Sequence, residues 1–126
     1  MAVPSNVGFG MSEVQTYVIP NVQKSGTQVD LCRPYAFIVI MCDNMTGIAS
    51  GQLRLNVSPA EGIPLHNLYE QNSATIWSSG TLPTTGTYSV LVTHAFGMRF
   101  IQPVLTANSD AQLTFKIIGF DPVIRN

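Results

Sequence analysis

The sequence predicts an all-β fold, an antiparallel β-sandwich of about eight strands in a jelly-roll arrangement. Short apolar runs recur along the chain, and turns rich in Gly, Pro, Thr and Asn separate them at spacings of about 8–12 residues. No window shows a convincing helical period. An immunoglobulin-like sandwich is the alternative, because strand pairing decides between the two topologies and a single sequence does not reveal it. The Cys–Trp–Cys spacing of immunoglobulin domains is absent.

The strand segments can be placed in order along the chain. They are Ser12–Ile19, Thr27–Cys32, Tyr35–Met41, Ser50–Ser58, Ser73–Ser78, Thr87–Thr93, Phe96–Leu105 and Gln112–Phe120. Met1–Gly10 carries Gly, Pro and Asn with little periodicity, so we expect an extended N-terminal arm. At 126 residues the chain is long enough for one domain, and residues 11–126 are predicted to form a single sandwich.

The pattern within a strand predicts which faces are buried. Ser50–Ser58 alternates between apolar and polar residues, which is typical of a strand with one wet face. Tyr35–Met41 is continuously apolar and β-branched, so we expect a central strand buried on both faces. Pro103 lacks a backbone donor, which predicts an edge strand or a bulge at that residue. The predicted core consists of Phe37, Val39, Leu53, Leu55, Trp77, Val90, Val92, Phe100, Leu113, Phe115 and Ile117.

The composition is poor in charge. Charged residues make up 10% of the chain and the formal net charge is −1, so copies of the chain repel one another weakly. We therefore expect other subunits to cover part of the surface. The six basic residues are scattered, which argues against a nucleic-acid partner. No apolar run reaches the roughly 20 residues that span a bilayer, and no membrane partner is expected. Met1–Gly10 lacks the features of a signal peptide, which predicts synthesis in the cytoplasm.

Residue types that support chemistry are few. Cys32 and Cys42 are expected to be reduced core residues, and they lack the further ligands of a zinc site. A triad of Ser79, His94 and Asp110 can be written on paper, but no strained nucleophile turn of the GxSxG type accompanies it. We therefore predict a protein that is not an enzyme, with no catalytic residues, no metal and no cofactor.

Three aromatic residues could form a surface for stacking a ligand. Trp77, Tyr69 and Tyr88 would make a platform for sugar rings if they faced outward. Aromatic residues of a sandwich more often lie in its core, because each ring buries about 150–250 Å². A carbohydrate-binding module is therefore an alternative function for the chain.

The C-terminal half carries a resemblance to a known class of proteins. The segments WSSGTLPTTGTYSVLV, GMRFIQPVL and LTFKIIGFDPV resemble small β-sandwich proteins of tailed-bacteriophage virions, of the head decoration (cement) type. The resemblance covers Ser73–Val123 and matches no diagnostic residue, so no site residue is carried over. It implies a virion protein that binds the major capsid protein and copies of itself, and proteins of this class often form trimers. A receptor-binding piece of a phage tail or fibre is the corresponding form of the carbohydrate-binding alternative.

Overall fold

A computed structural model describes residues 10–121, which form an all-β structure without a helix. Its eight strands are β1 (Gln15–Ile19), β2 (Val29–Tyr35), β3 (Phe37–Met45), β4 (Leu53–Ser58), β5 (His66–Asn67), β6 (Gly86–Val92), β7 (Met98–Leu105) and β8 (Leu113–Phe120). The predicted arm, Met1–Gly10, lies outside the described residues except for Gly10. Seven of these strands overlap a segment predicted from the sequence. β5 meets the start of Asn67–Gln71, for which the sequence allows a short strand without deciding it. The predicted strand Ser73–Ser78 is not formed, because this segment turns and makes only an isolated bridge from Ile76 to Tyr69.

The strands pair into two antiparallel sheets of four. Sheet A has the order β1-β8-β3-β6, and sheet B has the order β2-β7-β4-β5. Strands β1 to β4 alternate between the two sheets, and β6, β7 and β8 alternate again after the β4–β5 hairpin. This order of two interlocked Greek keys is that of a jelly roll. The predicted jelly-roll sandwich is therefore confirmed, and the immunoglobulin-like alternative is not the fold.

The core lies between the two sheets and follows the alternation of the strands. On β4 the side chains of Leu53, Leu55 and Val57 are fully buried, and on β8 those of Leu113, Phe115 and Ile117 are fully buried. Trp77 and Val92 are buried as well. These positions confirm most of the predicted core, because a clean period of two identifies the inward face of a strand.

Strand β3 departs from its prediction. Ile38, Ile40 and Cys42 point into the core, whereas Phe37 and Val39 are half-buried on the opposite face of sheet A. Each face of a sandwich sheet has a different neighbour, and β3 has a second sheet on one side only. The prediction of a strand buried on both faces was therefore wrong, as was the placement of Phe37 and Val39 in the core.

Two further core predictions need correction. Phe100 is half-buried on the outer face of sheet B, where it is paired with Ser58 and Asp30. Val90 is only partly buried, although it packs against the core from β6. Cys32 is exposed rather than buried, while Cys42 is buried, and both thiols are free.

Pro103 lies in an internal strand, contrary to the expectation of an edge or bulge. Strand β7 is flanked by β2 and β4, and Pro103 pairs in register with Leu55. The ladder between β2 and β7 ends at the pair Val29–Ile101, so Pro103 lies beyond it and its missing N–H interrupts no hydrogen bond to β2. The Pro103 carbonyl accepts a hydrogen bond of 2.6 Å from the hydroxyl of Tyr17, which joins sheet A to sheet B.

Candidate interaction surface

The residues that could have formed a catalytic triad are not brought together by any hydrogen bond among residues 10–121. The Ser79 hydroxyl donates to the Gly80 carbonyl at 2.7 Å and accepts from the Leu53 backbone N–H at 2.9 Å. Ser79 therefore secures the loop before β6 to β4 rather than approaching His94 or Asp110. No group of three or more His, Cys, Asp and Glu side chains in this region could hold a metal ion. The described residues also contain no helix that is long and apolar enough to cross a membrane.

The predicted stacking platform is not formed. Trp77 is only 6% exposed, because its ring lies in the core. Its backbone N–H donates to the Leu68 carbonyl, which holds this segment against the end of sheet B. Tyr69 is 45% exposed beside it, at the isolated bridge to Ile76. Tyr88 lies on β6 in the other sheet and is half-buried. The three rings therefore share no exposed face, and only Tyr69 of the set is available for stacking.

A charged cluster organises one edge of sheet B. The guanidinium of Arg99 makes two hydrogen bonds to the carboxylate of Asp30, at 2.7 and 2.9 Å. These bonds hold the pKa of Asp30 below its ordinary value. Asp30 also accepts from the backbone N–H of Cys32, which adopts a left-handed conformation with φ of 73°. The cluster shapes an irregular stretch of β2 and carries no group positioned for chemistry.

The outer face of sheet A is unusually apolar for a solvent-facing surface. Phe37 lies opposite Phe120, and their ring centroids are 5.4 Å apart. In the next outward row, Val39 lies between Ile118 on β8 and Leu91 on β6. All of these side chains point away from the core by the alternation of their strands. We call the set Phe37, Val39, Leu91, Ile118 and Phe120 the apolar face.

Polar residues border the apolar face at one end and an aromatic residue borders it at the other. Met41 forms the following row between Lys116 and Ser89, and the Lys116 ammonium donates to the Thr16 hydroxyl at 3.1 Å. At the opposite end, Phe37 contributes to an open depression of about 500 Å³ together with Gln71, Thr93, His94 and Phe96. Phe96 is 72% exposed there. An apolar patch with a polar border is typical of a protein–protein interaction site.

The apolar face contrasts with the outer face of sheet B. There Arg54, Asn56 and Gln102 face solvent beside Phe100 and Val104, and the side-chain amides of Asn56 and Gln102 are hydrogen-bonded at 3.2 Å. The contrast between the two outer faces identifies sheet A as the side that is less suited to water. The sequence contained the signal, because Tyr35–Met41 has no polar residue on either face, but it was read as burial within the domain.

Comparisons with known proteins give little further information. No family model matches the chain. No curated protein matches it. Among solved structures, the chain is similar to a carbohydrate-binding module from Cellvibrio mixtus lichenase 5A in complex with cellotriose, with 18% identity over 86% of this chain and 88% of that one and a TM-score of 0.38. The superposition is too loose to support an argument about function.

Proposed function

We propose that the chain is a non-enzymatic structural subunit that acts by packing the apolar face of sheet A against a neighbouring protein in a large assembly. The observation that carries the proposal is the row Ile118–Val39–Leu91, which crosses three strands without a polar side chain. Apolar area removed from water contributes about 25 cal/mol per Å², so covering this surface is favourable. The partner must offer a flat apolar surface of its own.

Electrostatics supports the same proposal. Charges become expensive when an interface removes them from water, and the apolar face itself contains none. Lys116 and Asp43 lie toward one end of the outer face of sheet A, where an interface would leave them at its rim. With 10% charged residues in the whole chain, approach of a neighbour meets little long-range repulsion.

The backbone under the apolar face is held firmly. β3 and β8 are the two internal strands of sheet A, and their inward side chains Ile38, Ile40, Phe115 and Ile117 are fully buried. A surface that is already ordered loses little conformational entropy when a partner covers it. Repeated use of such a surface in a symmetric particle adds modest contacts into a stable lattice.

The assembly we propose is a phage virion, in which the chain binds the major capsid protein as a decoration or cement protein. This part of the proposal rests on the sequence resemblance of Ser73–Val123 and on the low charge of the chain. The fold alone does not decide it, because jelly rolls occur both in capsid proteins and in lectins.

The test is a sedimentation assay with expanded capsids assembled from the major capsid protein. Val39→Lys places a charge in the middle of the apolar face, and Val104→Lys makes the same change on a half-buried valine of β7 on the other outer face. We expect the wild-type protein and Val104→Lys to sediment with capsids and Val39→Lys to remain in the supernatant. Equal binding by both variants, or none by the wild type, contradicts the proposal.

A second candidate function is carbohydrate binding by the outer face of sheet B. Asn56 faces Asn67 across the β4–β5 pair and Gln102 across the β4–β7 pair, which places three amides in one row. Tyr69 is exposed close to this row, and sugars are commonly bound by amides beside an aromatic ring. A glycan array tests it: binding that Tyr69→Ala removes and Tyr69→Phe retains supports the candidate, and an array without binding ends it.

A further inference from the structure

We propose that two copies of the chain join through strand β6, which pairs antiparallel with β6 of the second copy. The inference rests on the proposed assembly function and names one of its partners. It concerns the edge of sheet A rather than the apolar face, so the two surfaces can be tested separately.

Within residues 10–121, strand β6 has one unpaired edge. Its inner edge pairs with β3 in five consecutive positions from Ile38–Val92 to Cys42–Tyr88. No strand within residues 10–121 pairs with its other edge, and β6 makes no backbone hydrogen bond to a loop of that region. A row of unpaired N–H and C=O groups on a regular strand is a template for another strand.

The other three edges of the sandwich are protected. β5 is two residues long, which leaves little to pair. β2 contains Pro34 and a register shift between Asp30 and Tyr35, and both interrupt an outside ladder. The edge of β1 is obstructed at Val18, because the backbone of Gly26 approaches its carbonyl too closely to leave room for a side chain there. Short strands, prolines, bulges and coverage are the means by which sheet edges avoid pairing.

None of these means is present on β6. The strand reads GTYSVLV over seven residues, with no charged residue, no proline and no bulge from Tyr88 to Val92. Its outward side chains are Thr87, Ser89 and Leu91, which are all exposed and suited to a strand. An exposed, regular and uncharged edge strand is expected to find a partner.

A second copy is the partner that best fits this edge. A two-fold axis perpendicular to the sheet at Ser89 pairs that residue with its own copy, Thr87 with Leu91, and Tyr88 with Val90. In this register every pair points to the same side of the sheet, and no charge meets another charge. Residue pairs related by a two-fold axis form a closed interface, which is the commonest symmetry of homodimers.

The pairing also enlarges the surface described above. It creates one continuous sheet in the order β1-β8-β3-β6-β6-β3-β8-β1, with both apolar faces on the same side. In this register Leu91 lies opposite Thr87 of the second copy, so the row Ile118–Val39–Leu91 and its copy lie on the same side of the joined sheet, offset along the strands on either side of Ser89. A dimer therefore presents about twice the apolar area to a neighbour. Once one copy has bound the capsid, the second copy is held close to it, which raises the overall affinity of the dimer.

The test uses charge at the two-fold axis and sedimentation equilibrium over a range of protein concentrations. Directly opposed side chains in an antiparallel pair lie about 5 Å apart, so Ser89→Lys places two like charges in contact and Ser89→Glu does the same with the opposite sign. We expect the wild-type chain to dimerise and each variant to dimerise about threefold to fivefold more weakly, because an opposed pair of like charges on an exposed face costs up to about 1 kcal/mol. An equimolar mixture of Ser89→Lys and Ser89→Glu is expected to recover the dimer.

The control is Thr114→Lys, an exposed outward threonine on β8 that lies away from the β6 edge. It adds the same charge to the same outer face and is expected to leave the dimer unchanged. A wild-type monomer at all concentrations overturns the inference, and so does a dimer that both Ser89 variants leave intact. A dimer that Val39→Lys disrupts and Ser89→Lys does not points to face-to-face association instead, which leaves the proposed function standing while this inference fails.

Discussion

Tyr17 and Pro103 join the two sheets through a single buried hydrogen bond of 2.6 Å. The Tyr17 hydroxyl donates to the Pro103 carbonyl and accepts from the backbone N–H of Gly26, also at 2.6 Å. Burial raises the pKa of Tyr17, so the hydroxyl stays protonated and able to donate across the neutral range. One side chain of β1 thereby secures an internal strand of the other sheet and the loop that leads into β2.

Replacement of Tyr17 by Phe is predicted to destabilise the fold. The change leaves the Pro103 carbonyl and the Gly26 N–H without this partner, and an unpaired buried polar group costs about 1–3 kcal/mol. We expect the free energy of unfolding to fall by about 2 kcal/mol in urea titrations. Tyr88→Phe is the matched control, because the Tyr88 hydroxyl is buried and, although Ser79 lies near it, meets no partner in the described region at hydrogen-bond geometry. If both variants lose the same stability, the Tyr17 hydroxyl has no special role.

Truncation of Phe115 to Ala tests the assignment of the faces of β8. Its ring is fully buried between the sheets, and removing a buried phenylalanine costs about 3–5 kcal/mol. Phe96→Ala is the control, since this ring is exposed and we expect a change within about 0.5 kcal/mol. Thermal and urea unfolding measure both. A loss below about 1 kcal/mol for Phe115→Ala would mean that the faces of β8 are reversed.

The Asp30–Arg99 pair is predicted to make stability depend on pH in acid. Arg99 lowers the pKa of Asp30 from its ordinary value of 3.8 in the folded state. A lowered folded pKa means that the pair stabilises the protein above the unfolded pKa and that this contribution is lost as the pH falls through the folded value. Asp30→Asn should therefore have a lower free energy of unfolding than wild type at neutral pH, and this gap in free energy should close in acid.

The gap between wild type and Asp30→Asn is expected to be small, because the Asp30 side chain is 41% exposed and solvent screens the pair. Arg99→Gln should give the same pH dependence, since it removes the other partner. Urea unfolding at a series of pH values down to about 2 measures both variants. A gap that persists unchanged at the lowest pH would contradict the role given to this pair.

The two cysteines are predicted to differ in reactivity. Cys32 is exposed, whereas Cys42 is buried in the core and burial raises the pKa of its thiol. A thiol reagent that reacts with thiolates should modify one cysteine per native chain and a second only after unfolding. Cys32→Ser should abolish the native reaction. Two fast-reacting thiols in the native wild type, or one fast-reacting thiol in native Cys32→Ser, would contradict the placement of Cys42.

The sequence could predict the fold because local signals in it agree with one another. The alternation in Leu53–Val57 and in Leu113–Ile117 identified the inward faces of β4 and β8 correctly, since the period of two survives folding unchanged. The strand order could not be derived from local signals. β1 pairs with β8 and β2 with β7, and such distant pairings leave no trace in a single sequence.

The apolar face was less predictable for a physical reason. A continuous apolar strand such as Phe37–Met41 looks the same whether its second face meets another sheet of the same domain or another molecule. Trp77 illustrates the same ambiguity with the opposite outcome. From the sequence, an aromatic residue between turns could form a stacking surface or a core side chain, and the structure places Trp77 in the core. Sequence patterns report how apolar a face is, whereas the structure shows which of these faces the domain itself buries.

The most direct test of the central claim is a reconstruction by electron microscopy of the proposed complex between the chain and expanded capsids, at a resolution that places the sandwich and its sheets. We predict that a neighbouring subunit covers Val39, Leu91 and Ile118 of sheet A and that the outer face of sheet B remains open to solvent. A particle in which this side of sheet A faces solvent, with its contacts made through sheet B or the loops, would contradict the account.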